Sequence, residues 1–220
     1  MLTRFFSLLT LAALAWTAPA ASFEGNLHVE TYKGAEIAPY TNKIVQLSND
    51  LFKKYPYLYD GSDAEYTKHL TSYAQSKHGV VSIAFDGNKV IGVATGIPLS
   101  EAWEKYQQPF RKKGENIDKI FYLGELLVSP EYTGKGLGQQ MTKNVEQFAK
   151  GRGYTTITAQ VIDEKSVKET APQNHYSMTN VLKKLNYQER PEINLVSYWT
   201  NVNESKESPH QMLYWTKALY

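Results

Sequence analysis

The chain predicts an α/β fold of mixed type, with one central, mostly antiparallel sheet flanked by helices. Three observations predict it. Short apolar runs of period two alternate with segments whose apolar residues recur every three or four positions. Asp86-Gly87-Asn88 supplies turn chemistry between two strand-like runs. An apolar strand, Ile120 to Val128, passes through a glycine-rich turn straight into an amphipathic helix. The 220 residues suit one domain with a sizeable core, and residues 21–220 are expected to form it.

The elements follow in chain order. Asn26 to Tyr32 reads as a first strand by alternation. Ile37, Ile44, Val45, Leu47, Leu51 and Phe52 take helical spacing before the break at Pro56. A second helix is expected over Ala64 to Ser76, with Leu70 and Tyr73 on one face. Val81, Ile83 and Phe85 alternate into the Asp86-Gly87-Asn88 turn, and Val90 to Ile97 returns as the hairpin partner. Leu137, Met141, Val145 and Phe148 mark the helix after the glycine-rich turn, stopped near Gly151 and Gly153. Thr155 to Val161 is a buried strand, and Met178, Val181, Leu182 and Leu185 make one more helix. Ile193 to Trp199 and Gln211 to Lys217 close the chain as paired strands, with polar Asn201 to Pro209 as the loop between them.

The turn itself is Thr133-Gly134-Lys135-Gly136-Leu137-Gly138-Gln139. Bare glycine backbone can approach a bulky anion and turn its N–H groups toward it, and a helix start adds unpaired N–H groups and the positive end of its dipole. The feature is a phosphate cradle in outline. A Walker loop needs Ser or Thr after its lysine, and Lys135 is followed by Gly136. A dinucleotide fingerprint needs Gly-x-Gly-x-x-Gly, and here the spacing is Gly-x-Gly-x-Gly. The segment instead resembles the pyrophosphate-binding motif of the GNAT acyltransferases, [Arg/Gln]-x-x-Gly-x-[Gly/Ala], which Gly136-Leu137-Gly138 fills while Thr133 departs from its first position. The element order matches that family over roughly residues 25 to 219. Phe52 to Gly61, Phe121 to Glu125 and Met212 to Lys217 are similar to bacterial members without a defined substrate.

The resemblance implies acetyl-CoA as cosubstrate, a cofactor contact set of Leu126, Leu127, Val128, Thr133, Gly134, Lys135, Gly136, Leu137, Gly138, Gln139 and Asn174, and an amine-bearing acceptor, small molecule or protein. Acyl transfer from a thioester to an amine needs a held cofactor, a polarised carbonyl and a base. Glu125, a carboxylate inside an apolar strand, is the base candidate, because desolvation raises its pKa toward a useful range; strand alternation leaves its direction open. Relatives often carry a tyrosine as acid on the last helix, where this chain has Leu182. Tyr176 is the substitute on chemical grounds, with helix-start packing as its other reading, and His175 ranks behind it. For Asn174, a helix cap is favoured over the cofactor contact, because Asn is common at helix starts. Tyr55 to Gly61 lies where relatives border the acceptor and reads either as an amine-holding aromatic wall or as a plain hydrophobic lid. An insert from Ser100 to Lys119 with Trp103, Tyr106 and Phe110 at helical spacing is either a second wall or a cover on the sheet.

The N-terminus sets the context. Arg4, the apolar stretch from Phe5 to Trp16 and the small-x-small site Ala18-Pro19-Ala20 follow the secretory pattern over residues 1–20, with an uncleaved anchor as the alternative. The expected location is therefore exported, periplasmic or secreted, with no membrane span after cleavage. A net charge of +2 is too small to argue for nucleic acid or an anionic membrane surface, and no nucleic-acid partner is expected. Zero cysteines exclude disulfides and thiolate ligands, and the five histidines show no metal-ligand spacing. A homodimer is allowed. An exported binding module that kept the fold without catalysis is the reading of another class, whereas a secreted effector delivered into a host cell would reconcile export with catalysis.

Overall fold

The computed structural model describes residues 25–173 and 175–220; the expected export signal and Asn174 lie outside the described residues. Seven strands form one sheet in the order β1-β2-β3-β4-β5-β7-β6. They are β1 (Leu27–Lys33), β2 (Val80–Asp86), β3 (Lys89–Pro98), β4 (Ile120–Val128), β5 (Thr156–Ile162), β6 (Gln188–Thr200) and β7 (Glu207–Ala218). All neighbours are antiparallel except β4 and β5. That parallel pair requires a crossover, and the helix α4 (Leu137–Gly151) supplies it.

Helices cover both faces. On one side α1 (Thr41–Phe52), α2 (Asp63–Gln75) and α3 (Glu104–Lys112) pack through Ile44, Leu70, Tyr73 and Phe110, all 0 % exposed. On the other, α4 and α5 (Met178–Lys184) bury Met141, Val145 and Leu182 against Phe121, Ile157 and Trp215. The reason is local pattern: α4 repeats its apolar residues at helical spacing, so one stripe meets the sheet. α2 begins with a capping box, in which Ser62 accepts from the Glu65 N–H and the Glu65 side chain returns to the Ser62 N–H. Among the described residues no helix is long and apolar enough to cross a membrane.

Three boundaries differ from the sequence reading. The chain from Gly34 to Tyr40 is a 3-10 turn, and α1 starts only at Thr41. Pro39 removes a donor there and favours the tighter turn. The expected loop from Asn201 to Pro209 ends early, since β7 starts at Glu207, paired with Thr200. Likewise β6 starts at Gln188, with an irregular stretch between Glu189 and Asn194 around Pro191. Backbone pairing, rather than apolar alternation, decides these polar ends of the last hairpin.

The consequential irregularity lies in β4. Its pairing with β3 runs Gly92↔Val128 to Ala94↔Leu126 and resumes at Gly96↔Leu123, so Gly124 and Glu125 together oppose the single residue Thr95. This is a β-bulge, and the Glu125 N–H donates to the Thr95 hydroxyl at 2.9 Å within it. Gly124 is required: a Cβ there would lie 2.0 Å from the Tyr73 hydroxyl and 2.9 Å from Thr95 Oγ1. Gly124→Ala is expected to destabilise the fold by about 1–3 kcal/mol, measured by urea unfolding. Tyr73→Phe in the same chain should return part of that loss by removing the nearest atom.

Candidate active site

The bulge sets where Glu125 points. Along β4, Phe121 and Leu123 face the α4 side, and Ile120 and Tyr122 face the α1–α2 side. Strict alternation would send Glu125 with Phe121 and Leu123. The extra residue instead turns it to the α1–α2 side, where Ser48 of α1 donates to its Oε2 at 3.2 Å. Glu125 is 6 % exposed. Burial pushes its carboxyl up to about 7, and the Ser48 hydrogen bond opposes that rise only in part.

The second feature is a splay. β4 and β5 pair from Ile120↔Thr156 to Leu123↔Ala159 and then separate. Each strand stays tied on its outer side, β4 to β3 as far as Val128 and β5 to β7 as far as Ile162. The inner edges open a cavity of about 1010 Å³, with Leu126, Leu127 and Val128 on one wall and Val161 and Ile162 on the other. Its upper end is the start of α4. Gly134 and Gly136 hold left-handed φ of +78° and +82°, and a Cβ on either would meet nothing within 4 Å. These glycines thus serve backbone conformation, and the space above them is open. The first helical bond of α4 runs from the Gln140 N–H to the Gly136 carbonyl at 3.0 Å. The N–H groups of Leu137, Gly138 and Gln139 therefore precede the helical ladder.

Most of the expected cofactor set lies together. Leu126, Leu127, Val128, Thr133, Gly134, Gly136, Leu137, Gly138 and Gln139 all line this cavity, while Lys135 does not. Thr133 Oγ1 is occupied by the Pro130 carbonyl at 2.8 Å. Tyr176 also lines the cavity, just ahead of α5, 52 % exposed and with its oxygen accepting from Lys184 Nζ at 3.0 Å. Leu182 is buried in the core at 1 % exposure. The cap of α5 is Ser177. His175 lies 3.2 Å from Glu164 and meets the Tyr55 ring edge-on at 4.7 Å, which ties its loop to the stretch after α1.

Glu125 opens instead into a second cavity, of about 180 Å³, on the α1–α2 side. Its walls are aromatic: Phe52, Tyr57, Tyr59 and Tyr66 from around the first two helices, Trp103 and Tyr106 from the insert, Tyr122 from β4 and Trp199 from β6. His69 lines it too, pushed down to about 4 by burial and so neutral at ordinary pH. Glu65 is held below the usual carboxylate range, chiefly by the Ser62 N–H. Lys105 Nζ stands 5.2 Å from both the Trp103 and Tyr106 ring centroids. The segment carrying Tyr57 and Tyr59 is pinned by the Tyr59 N–H to the Phe52 carbonyl (2.8 Å), the Asp60 N–H to Thr200 (3.0 Å) and Trp199 Nε1 to the Tyr57 carbonyl (3.0 Å). Sequence reasoning missed Ser48, Thr95 and the double placement of Tyr57. A lone glycine beside an acid inside a strand was the signal for the bulge.

The match to known proteins fits this geometry. The model of the Acetyltransferase (GNAT) family matches residues 44–168, more than half of the chain. The chain belongs to the GNAT acetyltransferase family. N-acetyltransferase 8F1 of Rattus norvegicus is 28 % identical over 90 residues, which cover 40 % of this chain and 34 % of that relative. The matched stretch thus spans about a third of that relative's length. Among solved structures, an N-acetyltransferase from Staphylococcus aureus Mu50 aligns with a TM-score of 0.58 at 16 % identity, over 89 % of this chain and 100 % of its own. The yncA protein of Salmonella typhimurium, solved with its cofactor acetyl-CoA, aligns with a TM-score of 0.56 at 11 % identity, over 89 % and 95 %. At these identities the structures share the fold with this GNAT protein. Among the described residues no group of three or more His, Cys, Asp or Glu could hold a metal.

A raised carboxyl carries a stability signature with a definite sign. Unfolded, Glu125 titrates near the ordinary value of about 4.3; folded, near 7. The native state therefore binds the extra proton between those values, and stability is lost as pH rises through that window. Glu125→Gln is expected to be more stable than the parent at pH 8 by about 1–3 kcal/mol, with the difference closing near pH 4. Urea unfolding of both proteins at the two pH values checks it.

Proposed function

We propose that this GNAT protein transfers an acetyl group from acetyl-CoA to an amine seated in the aromatic cavity, with Glu125 as the base. The observation that carries the reading is that the two cavities meet at shared lining residues, Phe52 and Tyr57, with a buried carboxylate on the amine side. The residues present fit acetyl-CoA. The open space above Gly134 and Gly136, with the unbonded N–H groups of Leu137, Gly138 and Gln139, suits a pyrophosphate. The apolar walls of Leu126, Val128, Val161 and Ile162 suit a slim pantetheine arm. When bound, acetyl-CoA supplies an activated acyl group as a thioester.

The remaining work falls to the chain. The β4 edge beyond Leu123 has lost its strand partner, so its main chain is free to hydrogen-bond the cofactor. The aromatic walls hold an ammonium by cation–π attraction and exclude water from it. Glu125, with its carboxyl near 7, accepts the amine's proton at neutral pH, directly or through a water. The N-terminal pattern supports export, which N-terminal sequencing of the protein recovered outside the cytoplasm checks. A binding module without turnover is favoured by Leu182, which stands where relatives carry the acid.

Calorimetric titration with acetyl-CoA separates these readings first. Binding near micromolar, about −8 kcal/mol, is expected, and Gly136→Asp should abolish it through bulk and charge in the cradle. Acetyl transfer to a panel of amines should then fall away below a pKa near 7 and drop by about 10²–10⁴ in Glu125→Gln. Tight acetyl-CoA binding without transfer to any amine would favour the binding module.

A further inference from the structure

Two residues line both cavities, Phe52 and Tyr57. If the thioester enters through one and the amine through the other, the bond exchange takes place where they meet. Of the two shared residues, only Tyr57 carries a proton donor. We propose that Tyr57 donates its hydroxyl proton in a hydrogen bond to the thioester sulfur as the C–S bond breaks, taking the place left by Leu182 on the last helix; this rests on the acetyl-transfer reading above.

Tyr57 is held where that role demands. Its ring meets Phe52 edge-on at 5.0 Å and lies 6.4 Å from Trp199, and its carbonyl accepts from Trp199 Nε1 at 3.0 Å. Burial acts most strongly on its titration, the main chain of Ile162 opposes the rise, and the charges of Glu164 and Glu125 add to it. Ile162, the last residue of β5, lines the larger cavity and Glu125 the smaller, and Tyr57 lines both. The two cavities leave the ring half-buried, yet the surrounding protein pushes the phenol up to about 12. Tyr176 lines the larger cavity alone.

The step balances without a full transfer from Tyr57. The ammonium first yields one proton through Glu125 to solvent. The neutral nitrogen then forms the new C–N bond, the C–S electron pair leaves on sulfur, and the nitrogen's surplus proton passes to the ionised Glu125. A phenol near 12 keeps its proton against a thiolate, since an ordinary alkyl thiol such as cysteine titrates lower, at about 8.5. Tyr57 thus stabilises the departing thiolate as a donor, and the thiolate is protonated after release.

Coenzyme A itself is the probe, so no acceptor need be known. The thiol of bound coenzyme A is titrated by ultraviolet absorbance in the parent, Tyr57→Phe and Tyr176→Phe proteins, alongside acetyl-CoA affinity. The expected result is a bound thiol pKa about one unit higher in Tyr57→Phe, a tenfold loss for the thiolate, with acetyl-CoA affinity unchanged. An equal pKa in parent and Tyr57→Phe overturns the assignment, as does a shift that appears in Tyr176→Phe instead. Loss of acetyl-CoA affinity in Tyr57→Phe without a pKa shift marks a packing role and also overturns it. Failure of the parent to bind coenzyme A ends the acetyl-CoA reading itself, and this assignment with it.

Discussion

Strand β4 answers to two demands that a regular strand could not meet at once. Up to Leu123 it is an interior strand with partners on both sides; beyond, it keeps only β3. The residue at the change of regime is the bulge of Gly124 and Glu125 against Thr95. One extra residue turns the carboxylate from the α4 face to the α1–α2 face, and the lost partnership with β5 opens the space beside it. Both cavities depend on that point. A straight, fully paired β4 would bury Glu125 against the α4 layer and leave no wedge.

The electrostatics follow from the same placement. A carboxylate moved into an aromatic pocket with one hydroxyl for company pays desolvation, and a carboxyl that changes protonation near neutral pH is the outcome. Glu65, at the mouth of the same pocket, shows the opposite case: main-chain and hydroxyl donors hold it ionised. Two acids in one cavity are thus driven apart, which separates a proton acceptor from a fixed charge. The aromatic walls serve both, since they exclude water and still attract a cation.

Much of this was legible in the sequence. Hydrophobic periods returned the element order, and the Gly134-Lys135-Gly136-Leu137-Gly138 stretch marked the cavity's upper end, because φ > 0 and an exposed helix start leave a residue-type signature. Lys135, expected with that stretch, does not line the cavity, although Gly134 and Gly136 on either side of it do. What escaped was long-range. The direction of Glu125 depends on Thr95, thirty residues away, and on Ser48 of α1. Tyr57 read as one of several tyrosines in a loop, and only the pinning of that loop to Phe52, Thr200 and Trp199 gives it two cavities to face. The polar start of β7 was unreadable because strand pairing there rests on backbone, without an apolar face.

The Glu125 carboxyl titrates near neutrality because β4 turns it into an apolar pocket. Carbon-13 NMR of glutamate-labelled protein, with Glu125→Gln used to assign the resonance, measures that titration directly. A midpoint near 7 is the predicted result. A midpoint in the ordinary carboxylate range, about 4.3, would mean that Glu125 is solvated or paired, and would contradict the placement on which both cavities and the proposed base depend.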